Sequence, residues 1–205
     1  MFDACGEPIH FGLSRTSDAT EEWCSLAHAK AWLKVDDASD DELVHALIDS
    51  TRNKLETDTR RGLVSQSWAY TLDRCPANRA PILFPVNPVL SVTSVTSYDV
   101  ANASTTVATS VYRLDSSSVP ARLVLKDGQD WPTSLRPENG IEIVFVAGYG
   151  TGSESVPKEL AQAGRLLMAH WYVNREAVAI GNGLTSIDVP MAYEALIAPH
   201  KVPWL

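Results

Sequence analysis

The sequence predicts an α+β fold: a small helical bundle of about three main helices and a short C-terminal helix, with a β-rich insertion and an extended C-terminal arm. Apolar residues recur at helical spacing near both ends of the chain, whereas the middle alternates with a period of two. Pro199 and Pro203 exclude a helix at the end. We therefore divide the chain into an N-terminal arm (1–24), a helical core (25–62 and 153–198), a β-rich insertion (63–152) and a C-terminal arm (199–205).

The first two helices are predicted from cap residues and apolar spacing. Helix one follows Ser25 and runs to about Lys34. The run Ser39-Asp40-Asp41-Glu42 matches a capping box, in which the serine and glutamate side chains satisfy free N–H groups at a helix start. Helix two is expected from Asp40 to Arg60, with Gly62 as its natural stop.

Two more helices are predicted after the insertion. Val156-Pro157 opens helix three, because proline suits a first helical turn. Its expected buried stripe consists of Leu160, Gly164, Leu167, Met168 and Trp171. Gly164 indicates a close neighbour. Gly181-Asn182-Gly183 predicts a flexible break, and Asp188-Val189-Pro190 predicts the start of the short final helix.

The insertion is predicted to form a series of short strands, because it is rich in β-branched and aromatic residues. The expected strands are 66–73, 82–84, 89–98, 111–114, 122–125 and 141–147, with a polar hairpin tip at 102–106. The alternation slips near Thr93-Ser94, which predicts a β-bulge there.

Charge and composition argue against several classes of protein. A net charge of −8 and a pI near 5.0 do not suit a protein that grips nucleic acid, which needs clustered lysine and arginine to displace counterions. No secretory signal or stretch long enough to cross a bilayer is evident, so no membrane role is expected. Cys5, Cys24 and Cys75 form no paired spacing, and we expect free thiols in a reducing cytoplasm.

No motif in the sequence predicts catalysis, a cofactor or a metal ion. The glycine run Gly148–Gly152 lacks the Lys-Ser/Thr of a phosphate loop and is interpreted as a strand-to-helix turn. The acids between Asp36 and Glu42 lack the order of a calcium loop and suit helix capping. His170, beside Trp171 and Tyr172, is the one candidate for a general base, but a packed, hydrogen-bonded helical histidine of the core or of an interface is the favoured interpretation.

The end of the chain indicates a docked arm. Val202-Pro203-Trp204-Leu205 is extended and aromatic, and such anchors carry much of the energy of protein interfaces. We expect this arm to bind a partner; the alternative is that it folds back onto its own domain.

The order of these segments resembles the head–tail connector (adaptor, or head-completion) family of long-tailed phages, prophages and gene transfer agents. The likeness lies in Ser25–Val35, Asp41–Leu63, Gln66–Asp73, Val144–Gly150 and Val156–Val178. His28 stands where the family commonly has a glutamate, residues 100–140 resemble nothing strongly, and the first twenty residues lie outside the match.

The resemblance implies a structural virion protein of the head–tail junction, made in the bacterial host cytoplasm, without enzymatic activity or cofactor. It implies a dodecameric ring that binds the portal protein and a stopper or other neck or tail protein, while DNA passes through the channel without specific binding. The implied portal-binding residues are Tyr193, Leu196, Ile197, His200, Lys201, Val202, Trp204 and Leu205. The implied residues of helix packing between subunits are Leu43, Leu47, Leu167 and Trp171.

Three other functions remain open at this point. They are a nucleic-acid-binding packaging ring, a hydrolase based on His170, and a different neck component such as the stopper itself.

Overall fold

A computed structural model of the protein describes residues 9–174 and 191–203. The chain divides into two compact units. The β unit comprises residues 1–19, 65–148 and 202–205, and the helical unit comprises residues 20–64 and 149–201. The predicted α+β class is confirmed.

Two antiparallel sheets form the β unit. The strands are β1 (Phe11–Ser17), β2 (Gln66–Leu72), β3 (Ile82–Leu83), β4 (Val89–Tyr98), β5 (Ser104–Thr106), β6 (Tyr112–Asp115), β7 (Arg122–Leu125) and β8 (Ile141–Ala147). A five-stranded sheet has the order β1-β2-β8-β4-β5, and a three-stranded sheet has the order β3-β7-β6. Each predicted strand is present, with bounds that differ by one residue at most, whereas Ser104–Thr106 of the expected hairpin tip forms the additional strand β5.

The core of the β unit is built on the alternation of β8. Ile141, Ile143, Phe145 and Ala147 are fully buried, while the residues between them are partly exposed. The Phe145 ring contacts Phe84, with ring centroids 4.9 Å apart. Because β8 lies between β2 and β4, its inward side chains meet neighbours on both sides.

The predicted β-bulge in β4 is confirmed. The pairing of β4 with β8 shifts register between Val92 and Ser94, and again between Val89 and Ser91. An extra residue on one strand lets the apolar side chains keep facing the core although the sequence alternation slips.

The N-terminal segment differs from the expected arm. Phe11–Ser17 forms β1 and pairs with β2 at the edge of the larger sheet, and Ile9 is buried in the core of the β unit. The sequence gives little sign of this strand because most of its side chains are exposed, so no apolar alternation is needed. Main-chain hydrogen bonds to β2 hold it instead.

The helical unit contains four helices in the described residues. They are α1 (Leu26–Leu33), α2 (Asp41–Thr59), α3 (Lys158–Val173) and α4 (Met191–Ile197). Short 3-10 turns cover Ala38–Asp40, Ser153–Ser155 and Ala198–His200. Among these helices, none has the length and apolar character needed to cross a membrane. The predicted glycine break at 181–183 and the helix start at 188–190 lie outside the described residues.

Cap geometry confirms one prediction and corrects two. The Ser25 side chain accepts a hydrogen bond from the His28 backbone N–H and caps α1, as predicted. The capping box at Ser39–Glu42 is wrong, because a 3-10 turn precedes α2 and Asp37 caps that turn by accepting from the Ser39 N–H at 2.9 Å. α2 ends at Thr59, and the left-handed backbone of the next residue, Arg60 (φ 56°), terminates the helix before Gly62 is reached.

A tryptophan from the predicted N-terminal arm lies at the centre of the helical unit. Trp23 is 2% exposed, and its indole N–H donates to the Ile48 carbonyl at 3.0 Å. Gly164 of α3 faces this ring so closely that an added Cβ would lie 2.6 Å from Trp23 Cη2 and 3.1 Å from Leu55 Cδ1. The close neighbour predicted for Gly164 is therefore chiefly an indole from outside the regular helices.

Candidate functional site: assembly surfaces

The histidine considered as a general base lies at the end of α3 without a carboxylate partner among the described residues. The His170 ring is 3.3 Å from the Asn174 amide nitrogen, and the same amide donates to the His170 carbonyl at 2.9 Å. These contacts cap the helix end. Within 9–174 and 191–203, no three histidine, cysteine or acidic side chains gather as metal ligands.

The loop considered for phosphate binding is closed by its own side chains. A Cβ added at Gly152 would lie 2.3 Å from the Glu154 carboxylate, and one added at Gly150 would lie 2.3 Å from Ser155 Oγ. The glycines therefore allow a tight entry into the 3-10 turn, and a carboxylate stands where a phosphate would need positive charge.

The acids before α2 tie the helices together. Lys30 of α1 donates to Asp41 Oδ1 at 2.5 Å and to the Asp37 carbonyl at 3.0 Å. Tyr172 of α3 donates its hydroxyl to Asp40 at 2.6 Å. This turn thus links α1, α2 and α3, in agreement with a structural role for the acids.

The residues predicted to pack between subunits fall into two groups. Leu43, Leu47 and Trp171 are half-buried and present part of their surface. Leu167 is fully buried within the chain and cannot reach a neighbouring subunit in this conformation. Its assignment to an interface is corrected, because the α3 stripe that contains it is occupied by the chain's own core.

One side of α2 faces away from the core and forms a continuous surface, which we call the α2 outer face. It consists of Glu42, Leu43, Ala46, Leu47, Asp49 and Asn53. The helical spacing of three and four residues places these side chains together. The surface combines two half-buried leucines with two carboxylates.

An exposed tryptophan on α1 was missed by the sequence interpretation. Trp32 is 43% exposed, and its indole N–H donates to the Arg165 carbonyl of α3 at 3.1 Å. The two residues line a cleft of about 340 Å³ with His28 and Ala31, which we call the Trp32 cleft. The sequence signal was available, because Trp32 lies off the apolar stripe of its helix and so had no predicted core contact.

Arg165 is the charged residue of this cleft. Its guanidinium makes no salt bridge within the described part of the chain, and it also lines an adjoining cleft of about 570 Å³ that includes Lys158 and Glu154. Burial raises the pKa of the neighbouring Cys24 thiol, and the positive charge of Arg165 partly offsets that rise. The two clefts share a half-buried arginine available to a carboxylate.

The C-terminal segment is anchored on the helical unit before it ends. Arg61 Nε donates to the His200 carbonyl at 2.6 Å, and Lys201 forms a salt bridge with Glu194 at 2.9 Å. Val202 is 5% exposed. Trp204 and Leu205 lie outside the described residues.

Two of the predicted portal-binding side chains belong to the core. Tyr193 and Ile197 are fully buried, and the Tyr193 hydroxyl donates to Asp58 at 2.8 Å. Burial and the Asp58 carboxylate both raise the pKa of Tyr193. Direct contact of these two residues with a partner is corrected, since the face predicted to reach outward packs inward. Leu196 and His200 remain half-buried and Lys201 is exposed.

Comparison with known proteins gives one family match. The model of the phage gp6-like head-tail connector proteins matches residues 24–123. These residues include α1, α2 and the strands β2 to β6. No curated protein matches the chain.

Three solved structures resemble nearly the whole chain. A chain in the neck of a native gene transfer agent (GTA) particle computed with C12 symmetry is 26% identical, with a TM-score of 0.71, and covers 95% of this chain and 97% of that one. A chain in the neck of an empty GTA particle computed with C6 symmetry is 24% identical, with a TM-score of 0.73 and coverage of 95% and 97%. A chain in the virion of a native GTA particle is 23% identical, with a TM-score of 0.74 and coverage of 94% and 96%.

The family match includes three of the five segments that carried the resemblance, namely Ser25–Val35, Asp41–Leu63 and Gln66–Asp73. Val144–Gly150 and Val156–Val178 lie beyond it, and there the likeness is one of fold to the neck structures. The resemblance is confirmed: residues 24–123 match the model of the phage gp6-like head-tail connector proteins, and the fold is similar to that of a GTA neck chain along nearly the whole sequence.

Proposed function

We propose that this protein is a structural subunit of the virion neck, which joins the portal to the tail and extends the channel through which DNA moves. The observation that carries this function is the connector family match over residues 24–123, together with the likeness to a GTA neck chain along 95% of the sequence.

Twelve copies form the working unit. The related GTA neck was computed with C12 symmetry, and a closed ring needs each subunit to offer two different surfaces to its neighbours. The Trp32 cleft and the α2 outer face are two such surfaces of different chemistry.

The C-terminal segment is the contact with the portal. His200, Lys201 and Val202 form its anchored base, and Trp204 and Leu205 supply an apolar end. One such end binds weakly, but copies arranged around a ring multiply a weak contact into a firm one.

The charge of the chain suits a channel that lets DNA slide. With a net charge of −8, the protein repels phosphates more than it attracts them, so DNA would pass without a specific site. We expect no retardation of DNA in a gel-shift assay at low salt.

The portal contact is tested by changing only the end of the segment. Deleting 199–205 would also remove buried Val202 and the carbonyl that Arg61 binds, so loss of binding could reflect misfolding. A Trp204→Ala/Leu205→Ala double variant keeps both. We expect it to unfold at the same temperature as the wild type but to co-sediment about tenfold less with portal-bearing heads, a loss of about 1.4 kcal/mol per binding event.

Val100→Ser is the matched control, because Val100 is 77% exposed in the β unit, far along the sequence from the segment. It should co-sediment like the wild type. Undiminished co-sedimentation of the double variant would overturn the portal assignment. Absence of the wild-type protein from the neck, in cryo-microscopy of the parent particle, would overturn the connector function itself.

A further inference from the structure

We infer that the Trp32 cleft of one subunit receives the α2 outer face of the next copy in the ring, with Arg165 pairing with Glu42. This inference rests on the proposed ring and names the surfaces that close it.

The two surfaces lie on different helices of the same helical unit, the Trp32 cleft on α1 and α3 and the other on α2. α2 and α3 pack against each other, with Gly164 of α3 next to Leu55 of α2. Glu42 and Asp49 are exposed on α2. Arg165 is half-buried on α3, next to buried Gly164. A contact between two such different faces is heterologous, and contacts of that kind generate a ring when the rotation between subunits closes.

The cleft supplies a pre-positioned aromatic anchor. Trp32 presents 43% of its surface although its only polar group is already satisfied by the Arg165 carbonyl. Burying this indole against a partner therefore removes apolar surface from water without leaving an N–H unpaired. Leu43 and Leu47, half-buried on the α2 outer face, are apolar side chains that can cover it.

Charge selects the same pairing. Arg165 has no salt bridge in the described residues, and neither does Lys158 of the adjoining cleft or Glu42 of the α2 outer face. Asp49, 55% exposed on the same helix, already pairs with Arg52, so Glu42 is the carboxylate of this face that can meet Arg165. A second copy thus offers apolar side chains to cover Trp32 and a carboxylate to pair with Arg165. Arginine and tryptophan are also the residues enriched in interface hot spots.

Charge reversal tests this pairing in assembled particles. Arg165→Glu and Glu42→Arg each place like charges opposite one another, and we expect each to lower the amount of protein at the neck about tenfold or more. The Arg165→Glu/Glu42→Arg double variant restores opposite charges and should recover most of it. Asp127→Lys, which changes an exposed acid of the β unit, is the control and should assemble normally.

The amount at the neck is measured by immunoblotting of purified particles and by cryo-microscopy of the junction, and folding of each variant by thermal unfolding. Single variants that assemble normally would overturn the inference, as would a double variant that fails like the singles. Either result leaves the connector function standing if wild-type protein occupies the neck; its absence from the neck would remove the proposed function instead.

Discussion

Replacing Gly164 with alanine should destabilise the protein, although alanine is the better helix former. The added Cβ would lie 2.6 Å from Trp23 Cη2, 2.8 Å from Cζ3 and 3.1 Å from Leu55 Cδ1. The indole cannot retreat freely, because its N–H is held by the Ile48 carbonyl at 3.0 Å and the ring is 2% exposed.

The magnitude follows from two opposing effects. Alanine in place of glycine favours a helix interior by about 1 kcal/mol. Overpacking of a filled core costs about 1–3 kcal/mol. Because the added Cβ would be so close to a ring that cannot move, the cost for Gly164→Ala should lie at the upper end of this range. The expected net loss is therefore about 2 kcal/mol, or a fall in Tm of about 4–8 °C for a chain of this size.

Urea and thermal unfolding followed by circular dichroism measure this loss. Gln162→Ala, on the partly exposed side of α3, is the control and should change the free energy of unfolding by less than about 0.5 kcal/mol. Combining Gly164→Ala with Trp23→Phe should cost less than the sum of the two single changes, because the smaller ring makes room. A Gly164→Ala protein as stable as the wild type would refute the packing argument.

Two further predictions concern buried polar groups. Arg52 is 4% exposed and forms salt bridges with Glu22 and Asp49. Arg52→Ala should lower the free energy of unfolding, measured in urea, by about 2 kcal/mol, because its two acidic partners are partly hydrated and lose little when left alone. Arg52→Met keeps the apolar part of the side chain and should lose about half as much, so equal losses for the two variants would contradict this account. Burial raises the pKa of the Cys75 thiol from 9.0 to about 12. The stability that the buried neutral thiol contributes is therefore complete below pH 9 and is lost as the pH rises towards 12. Between these pH values Tm should fall more steeply for the wild type than for Cys75→Ala, and parallel curves would contradict this prediction.

The sequence determined the positions of most helices and strands, because their signals are local. Helix two, predicted from Asp40 to Arg60, agrees with α2 to within one residue at each end, and α3 begins directly after the predicted Val156-Pro157 start. Alternation predicted β2, β4 and β8. Even the bulge at Val92–Ser94 was visible as a slip in that alternation. The order of these segments also sufficed to indicate the connector family.

What only the tertiary structure decided is which surfaces meet. β1 is held by pairing with a strand more than fifty residues away, and Trp23 fills a space made by Gly164, so neither leaves a local pattern. A periodic stripe likewise shows that a helix has an apolar side but not whether the chain or a partner covers it. Tyr193 and Leu167 are therefore core residues, whereas Trp32, off its helix stripe, is 43% exposed.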